Sequence, residues 1–231
     1  MNYTELFSTI QTYTENQFPS VYLADGSTVS ATTQINTCIK QAEQRIYNSM
    51  QFPAVRKNVT GVVSTTTPYL SSPNDFLAVY SLAVVDASGN YVYLLNKDVN
   101  FIREAYPNPS STGVPKYYAL FGPTVSGSTI STELSFILGP KPDANYTAEL
   151  HYYYYPESIV TAVNTWLGDN FDTVLLYDCL VEAYTFMKGE ADMIALYDGK
   201  YKEALALAKR LADGMERQDA YRSGQYRQAV T

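Results

Sequence analysis

The sequence holds one histidine, His151, two cysteines, Cys38 and Cys179, and one tryptophan, and only 17% of its 231 residues are charged. Each scarcity closes off a class of function. No Cys or His cluster has the spacing that metal ligation needs. His151 sits inside the strand-like run Leu150-His151-Tyr152-Tyr153 and reads as structural. Cys38 and Cys179 fall on apolar faces of expected helices and read as buried free thiols; the sequence leaves a disulfide between them open. The phosphate-binding patterns GxGxxG and GxxxxGK[ST] and the nucleophile elbow GxSxG are missing. The carboxylate pairs Glu190 with Asp192 and Asp172 with Asp178 read as solvated helix faces or caps. No enzyme activity, cofactor or metal is expected. No window is long and apolar enough to span a bilayer. The opening Met1-Asn2-Tyr3-Thr4-Glu5 has neither a basic stretch nor a long apolar run, so no signal peptide is expected and the chain reads as intracellular in origin. A net charge of -7 argues against a broad nucleic-acid footprint.

What the chain does have is 46% hydrophobic residues and 22 tyrosines. That is enough to build a real core. With few charges, the surface must be carried by Ser, Thr, Asn, Gln and tyrosine hydroxyls. Such a surface suits broad protein or sugar contacts, because tyrosine offers area and a polar tip at low entropic cost.

The strongest pattern lies between Asn170 and Met215. Residues 172–187 are apolar on nearly every side, as in a buried helix, with Leu175, Leu180 and Phe186 as expected core residues. Beyond Gly189, the expected break, Met193, Ile194, Tyr197, Tyr201, Ala204, Leu205, Ala208, Leu211, Ala212 and Met215 recur at helical steps and define one face. Near the start, Leu6 and Ile10 mark a short helix over 3–17. A second helix follows a Ser30 or Thr32 cap, with Ile35, Ile39, Ala42, Ile46 and Met50 on its face. After Pro53 the period changes to two. Short strands are expected over 57–67, 76–86, 91–95, 116–121, 133–138 and 146–155, divided by turns such as Ala87-Ser88-Gly89-Asn90. Strand alternation puts two of Tyr152–Tyr155 on each face. Pro156 returns the chain to helix.

The expected fold is therefore α+β: a four-helix-type bundle with an inserted antiparallel β domain. Residues 1–55 supply the N-terminal helices, 56–156 the β domain, 157–215 the C-terminal helices, and 216–231 an extended tail.

Three segments carry a family resemblance: Gly113-Val114-Pro115-Lys116-Tyr117-Tyr118-Ala119-Leu120-Phe121-Gly122, Glu149-Leu150-His151-Tyr152-Tyr153-Tyr154-Tyr155-Pro156, and the helix from Asp172 to Met187. In this order and separation the chain resembles the head-to-tail adaptor proteins of tailed bacteriophages, also called connector, neck or head-completion proteins. The resemblance implies a structural virion protein at the neck, made in the host cytoplasm. It implies a dodecameric ring beneath the portal that meets tail or nozzle proteins and continues the DNA channel, with DNA passing unbound and no membrane contact. A carbohydrate-binding module, or another tail or baseplate structural protein, is the alternative. The segment after Met215 loses the apolar stripe but keeps Arg217, Tyr221, Arg222, Tyr226 and Arg227, residue types that anchor interfaces. These five are the expected portal contacts.

Overall fold

The computed structural model describes residues 1–49, 52–122, 125–126, 129–130 and 134–223, with backbone alone for 53, 125–126, 129–130 and 215–223. The chain forms two compact units: Met1–Ala54 with Pro156–Thr231, and Val55–Tyr155.

The helical unit begins with α1 (Tyr3–Thr14). A reciprocal capping box starts it: the Asn2 side chain accepts from Glu5 N–H while the Glu5 carboxylate accepts from Asn2 N–H. Leu6 and Ile10 are its buried face. The helix ends earlier than its expected limit at residue 17, because Glu15 takes a left-handed conformation (φ 49°). A small hairpin follows, β1 (Val21–Tyr22) with β2 (Thr28–Val29). In α2 (Ala31–Ser49), the Ser30 hydroxyl accepts from Thr33 N–H at 3.2 Å. Gln34 does not support that cap. It donates instead to the carbonyls of Pro19 and Val29, fastening the hairpin to the helix. Ile35, Ile39, Ala42 and Ile46 are buried as their spacing requires; Met50 lies outside the described residues.

The second unit is almost entirely strand. In order it has β3 (Arg56–Val63), β4 (Tyr69–Ser71), β5 (Phe76–Val85), β6 (Tyr91–Tyr93), β7 (Leu95–Asn96), α3 (Val99–Ala105), β8 (Tyr117–Phe121), β9 (Val125–Ser126), β10 (Thr129–Ile130), β11 (Ser135–Gly139) and β12 (Tyr146–Tyr154). One sheet runs β3-β12-β5-β6 and is antiparallel throughout; the other runs β4-β11-β8-β7. The second sheet departs from the expected pattern at its edge, where β7 pairs with β8 in parallel. The expected return strand 91–95 is divided: β6 stays with β5, while Leu95 crosses to the other sheet. Phe76, Phe136, Leu82, Leu150 and Tyr152 lead the core cluster, with Phe76 edge-on to Phe136 at 5.6 Å. Asp98 caps α3 through Asn100 N–H, and Ile102 of that helix packs on Ala119 and Ile137. A Cβ at Gly139 would stand 2.7 Å from Ile102, so only glycine admits the helix this close to β11.

The tyrosine run keeps its expected alternation through Tyr154: Tyr152 belongs to the core cluster with Tyr154 packed against it, while Tyr153, on the other face, is buried beside Arg56 and Tyr80. The register shifts opposite the run lie in β5, where Tyr80 and Leu77 are the extra residues. Each phenol finds a partner: Tyr152 donates to Asp75 at 2.8 Å, and Tyr153 accepts from Arg56 at 2.9 Å.

The chain re-enters the helical unit through two short helices that periodicity did not anticipate, α4 (Ile159–Ala162) and α5 (Trp166–Asn170). Four residues are too few to display a stripe. Each announces itself only through its cap, Ser158 for α4 and Thr165 for α5. Phe52 fills the space beside α5, stacked on Phe171 and edge-on to Trp166. Then come α6 (Asp172–Phe186) and α7 (Ala191–Ser223). The centre of the unit is α6, which packs against α1, α2, α5 and α7. Leu175 and Leu180 are fully buried, whereas Phe186, an expected core residue, is 52% exposed at the last turn of α6, its ring near Phe18.

The break between α6 and α7 falls where expected, by a different mechanism. Lys188, not Gly189, takes the left-handed conformation (φ 56°). Lys188 N–H donates to Thr185 and Gly189 N–H to Tyr184, closing the helix in a Schellman motif. Glycine is needed at 189 for space: a Cβ there would lie 2.6 Å from the Tyr184 ring.

Candidate functional site

The five expected contact residues are distributed along the end of the chain. Arg217, Tyr221 and Arg222 lie on the last turns of α7, which runs to Ser223 where an extended segment was expected from residue 216. The reason is local. One glycine at 214 costs about 1 kcal/mol in a helix interior, and Glu216, Arg217, Gln218 and Ala220 are good helix formers. Tyr226 and Arg227 fall outside the described residues.

Among residues whose side chains are described, Ala212 is the last buried position of α7. Tyr197, Tyr201, Ala208 and Ala212 form the seat on the rest of the unit. Leu211 was expected on that seat and is exposed instead, as are Leu196 and Leu207. Small alanines at the contact let helices approach closely, and leucines on the flank are left outside.

The helical unit is electrically divided. Its residues up to Gly199 carry twelve Asp and Glu against three Lys and Arg, while from Lys200 onward seven cations face four carboxylates. A basic helix end therefore continues from an acidic body.

A buried polar cluster, not anticipated, joins three helices. Asp178 is completely buried in the middle of α6 and pairs with Arg45 of α2. Arg45 also reaches Glu182 at 3.1 Å, and its guanidinium stands 5.0 Å from the centre of the Tyr201 ring on α7. The expectation that Asp172 and Asp178 are solvated holds for Asp172 only. Asp178 and Glu182, one turn apart inside an otherwise apolar helix, were the available signal, since a buried charge requires a partner. Glu43, two residues before Arg45 on α2, accepts from Ile159 N–H at 2.8 Å.

Burial pushes the Glu43 carboxyl up, against hydrogen bonds from Ile159 and Ser158 and the charge of Lys40. A folded-state pKa above the unfolded one means that the protonated form favours the fold. That contribution is complete below the ordinary carboxylate pKa and is lost as pH rises through the folded value. Glu43→Gln, which keeps an acceptor for Ile159, is therefore expected to raise the urea midpoint at pH 7 and to leave it unchanged at pH 3. A lower midpoint at pH 7 would refute the assignment.

Neither cysteine is poised for chemistry. Burial pushes the Cys38 thiol to about 11, and that of Cys179, fully buried, is also raised well above its ordinary value. Both are free. His151 faces outward from the first sheet with its Nε2 3.3 Å from Glu149, and Ser81 is its partner across the strands. Among the described residues no hydrogen bond joins Ser81 to His151, so the three do not form a nucleophilic relay. No group of three His, Cys, Asp or Glu side chains among them could hold a metal ion. No helix among them is long and apolar enough to cross a membrane.

The geometry is thus one of surfaces: an acidic helical body, a long basic-ended helix with an uncovered leucine flank, and a tyrosine-rich sheet face. No curated protein matches the sequence. The sequence model of the SU10 adaptor protein family matches residues 1–228, nearly the whole chain, so the protein belongs to that family of phage head-to-tail adaptors.

Proposed function

We propose that this protein is the structural subunit of a ring that sits beneath the portal, joins the capsid to the tail and continues the DNA channel. The observation that carries this reading is the match to the adaptor family over residues 1–228. The ring holds twelve copies, each a helical bundle carrying an inserted β domain, and it resides at the virion neck between the portal and the tail or nozzle proteins. The balance of charge supports the reading: a chain at -7 repels DNA and lets it pass without gripping it. The protein works by binding and not by catalysis.

The portal contact is assigned to Arg217, Tyr221, Arg222, Tyr226 and Arg227, with the arginines pairing to acidic groups and the tyrosines filling shallow pockets. Truncation after Met215 tests it. Melting is expected to stay unchanged, because Ala212 is the last position of α7 seen buried, while co-assembly with the portal of the same phage is lost. Wild-type co-assembly by the truncated chain would sink the assignment.

A further inference from the structure

Leu196, Leu207 and Leu211 are 53%, 61% and 50% exposed. Helical periodicity places all three within about 60° of one another, along about 22 Å of α7. Lys200 and Glu203 lie between the first two, and Arg210 stands beside the last, all exposed. One exposed leucine is ordinary on a protein surface. A row of three, next to a contact seat already filled by Tyr197, Tyr201, Ala208 and Ala212, is a patch awaiting a cover.

The position of the row indicates the kind of partner. It occupies the stretch of α7 that is seated on its own unit, so it marks a flank, and a flank is reached by a neighbour standing alongside. An end-on partner would meet the turns beyond Ala212 instead. DNA is a poor cover for leucines. The charge pattern narrows the choice further. Leu207 and Leu211 belong to the basic end of α7, and the excess carboxylates sit on the rest of the helical unit, including exposed Glu5, Asp169 and Asp172. The two surfaces are complementary and different, and both are on every copy. Such a pair produces head-to-tail contact, which closes into a ring when the rotation permits.

We propose that the Leu196–Leu207–Leu211 flank of α7 is the contact with a second copy of this chain, docked against the acidic part of the neighbour's helical unit. This deepens the ring reading above and rests on it. The leucines supply apolar burial, and Arg210 selects the acidic surface.

The test uses the full-length protein with portal particles of the same phage, counting bound copies by native mass spectrometry across a concentration series. Wild-type protein is expected to fill the portal cooperatively. Leu207→Asp with Leu211→Asp is expected to bind as single copies, without cooperativity, at concentrations about tenfold higher or more. Leu207→Gln with Leu211→Gln serves if the aspartates unfold the chain, with melting as the check. Wild-type cooperativity in a folded variant overturns the proposal. So does complete loss of binding, because the leucines would then face the portal. If wild-type protein does not bind portal, the ring reading fails separately, and sedimentation velocity of the free chain decides: self-association weakened by the variant and by salt supports the contact, and identical behaviour of the two proteins overturns it.

Discussion

Leu180→Ala is expected to cost about 2–5 kcal/mol of stability, among the largest effects of any single substitution in this chain. Leu180 is fully buried on α6, the helix that every other long helix of its unit touches. Removing three heavy atoms there forfeits their transfer energy and leaves a cavity, since α1, α2 and α7 cannot all close on it together. Leu207→Ala, on the exposed flank of α7, should stay within about 0.5 kcal/mol. Urea unfolding of both variants checks the contrast. A change below about half a kcal/mol at Leu180 would mean that α6 is peripheral.

Arg45→Met is expected to lower stability by about 3 kcal/mol, the lower end of what breaking a buried pair costs. The lower end applies because the Arg45 side chain is 38% exposed and water screens it, while Asp178 is wholly enclosed and would be left facing apolar neighbours. Loss of the Tyr201 contact adds a smaller part. Combining Arg45→Met with Asp178→Leu should recover most of the loss, because an apolar pair of similar volume needs no desolvation. A double-mutant cycle by urea unfolding measures this. If the single variant loses under about 1 kcal/mol, or the double variant is no better than the single, Asp178 is not a desolvated charge.

These two residues mark what could and could not be read in the sequence. The buried Ile35, Ile39 and Ile46 were legible because they repeat at helical steps, and the buried Leu175 and Leu180 were legible because their helix is apolar on nearly every side. Asp178 was not, because periodicity assigns every charge to the outside. Leu211 was misplaced by the same logic run backwards: it lies on an apolar face, but the part of α7 that touches its neighbours is narrower than that face and is made of tyrosine and alanine. Phe186 failed at a helix end, where spacing stays regular after the neighbours have gone. In the β unit the strands and turns were legible from alternation and from Gly, Pro, Asn and Asp. The two bulges of β5, at Leu77 and Tyr80, were not, since a bulge leaves the residue types unchanged and alters only their pairing. Of the candidate contacts, the residue types at 217, 221 and 222 could be read directly. The helix that carries them could not, because the apolar stripe ends at Met215, while good helix formers let a helix run on without one.

The pairing of Arg56 with Tyr153, side by side on β3 and β12, has a consequence for how the chain closes. The helices α2 and α6 are separated by about 120 residues of sequence. Bringing them together across an unstructured segment of that length carries a loop-closure entropy that grows with the logarithm of the length. Once the strands have formed, residues 55 and 155 lie at the ends of adjacent strands, and the segment between them counts as a bridge of a few residues. The connection from α2 to α6 then shortens to about 25 residues, a little over two halvings, and at about 0.6 kcal/mol for each the saving is roughly 1.4 kcal/mol. The insertion therefore acts on the helical unit through connectivity. A substitution that unfolds the strands gives that entropy back to the helices, even though no helical side chain has been altered.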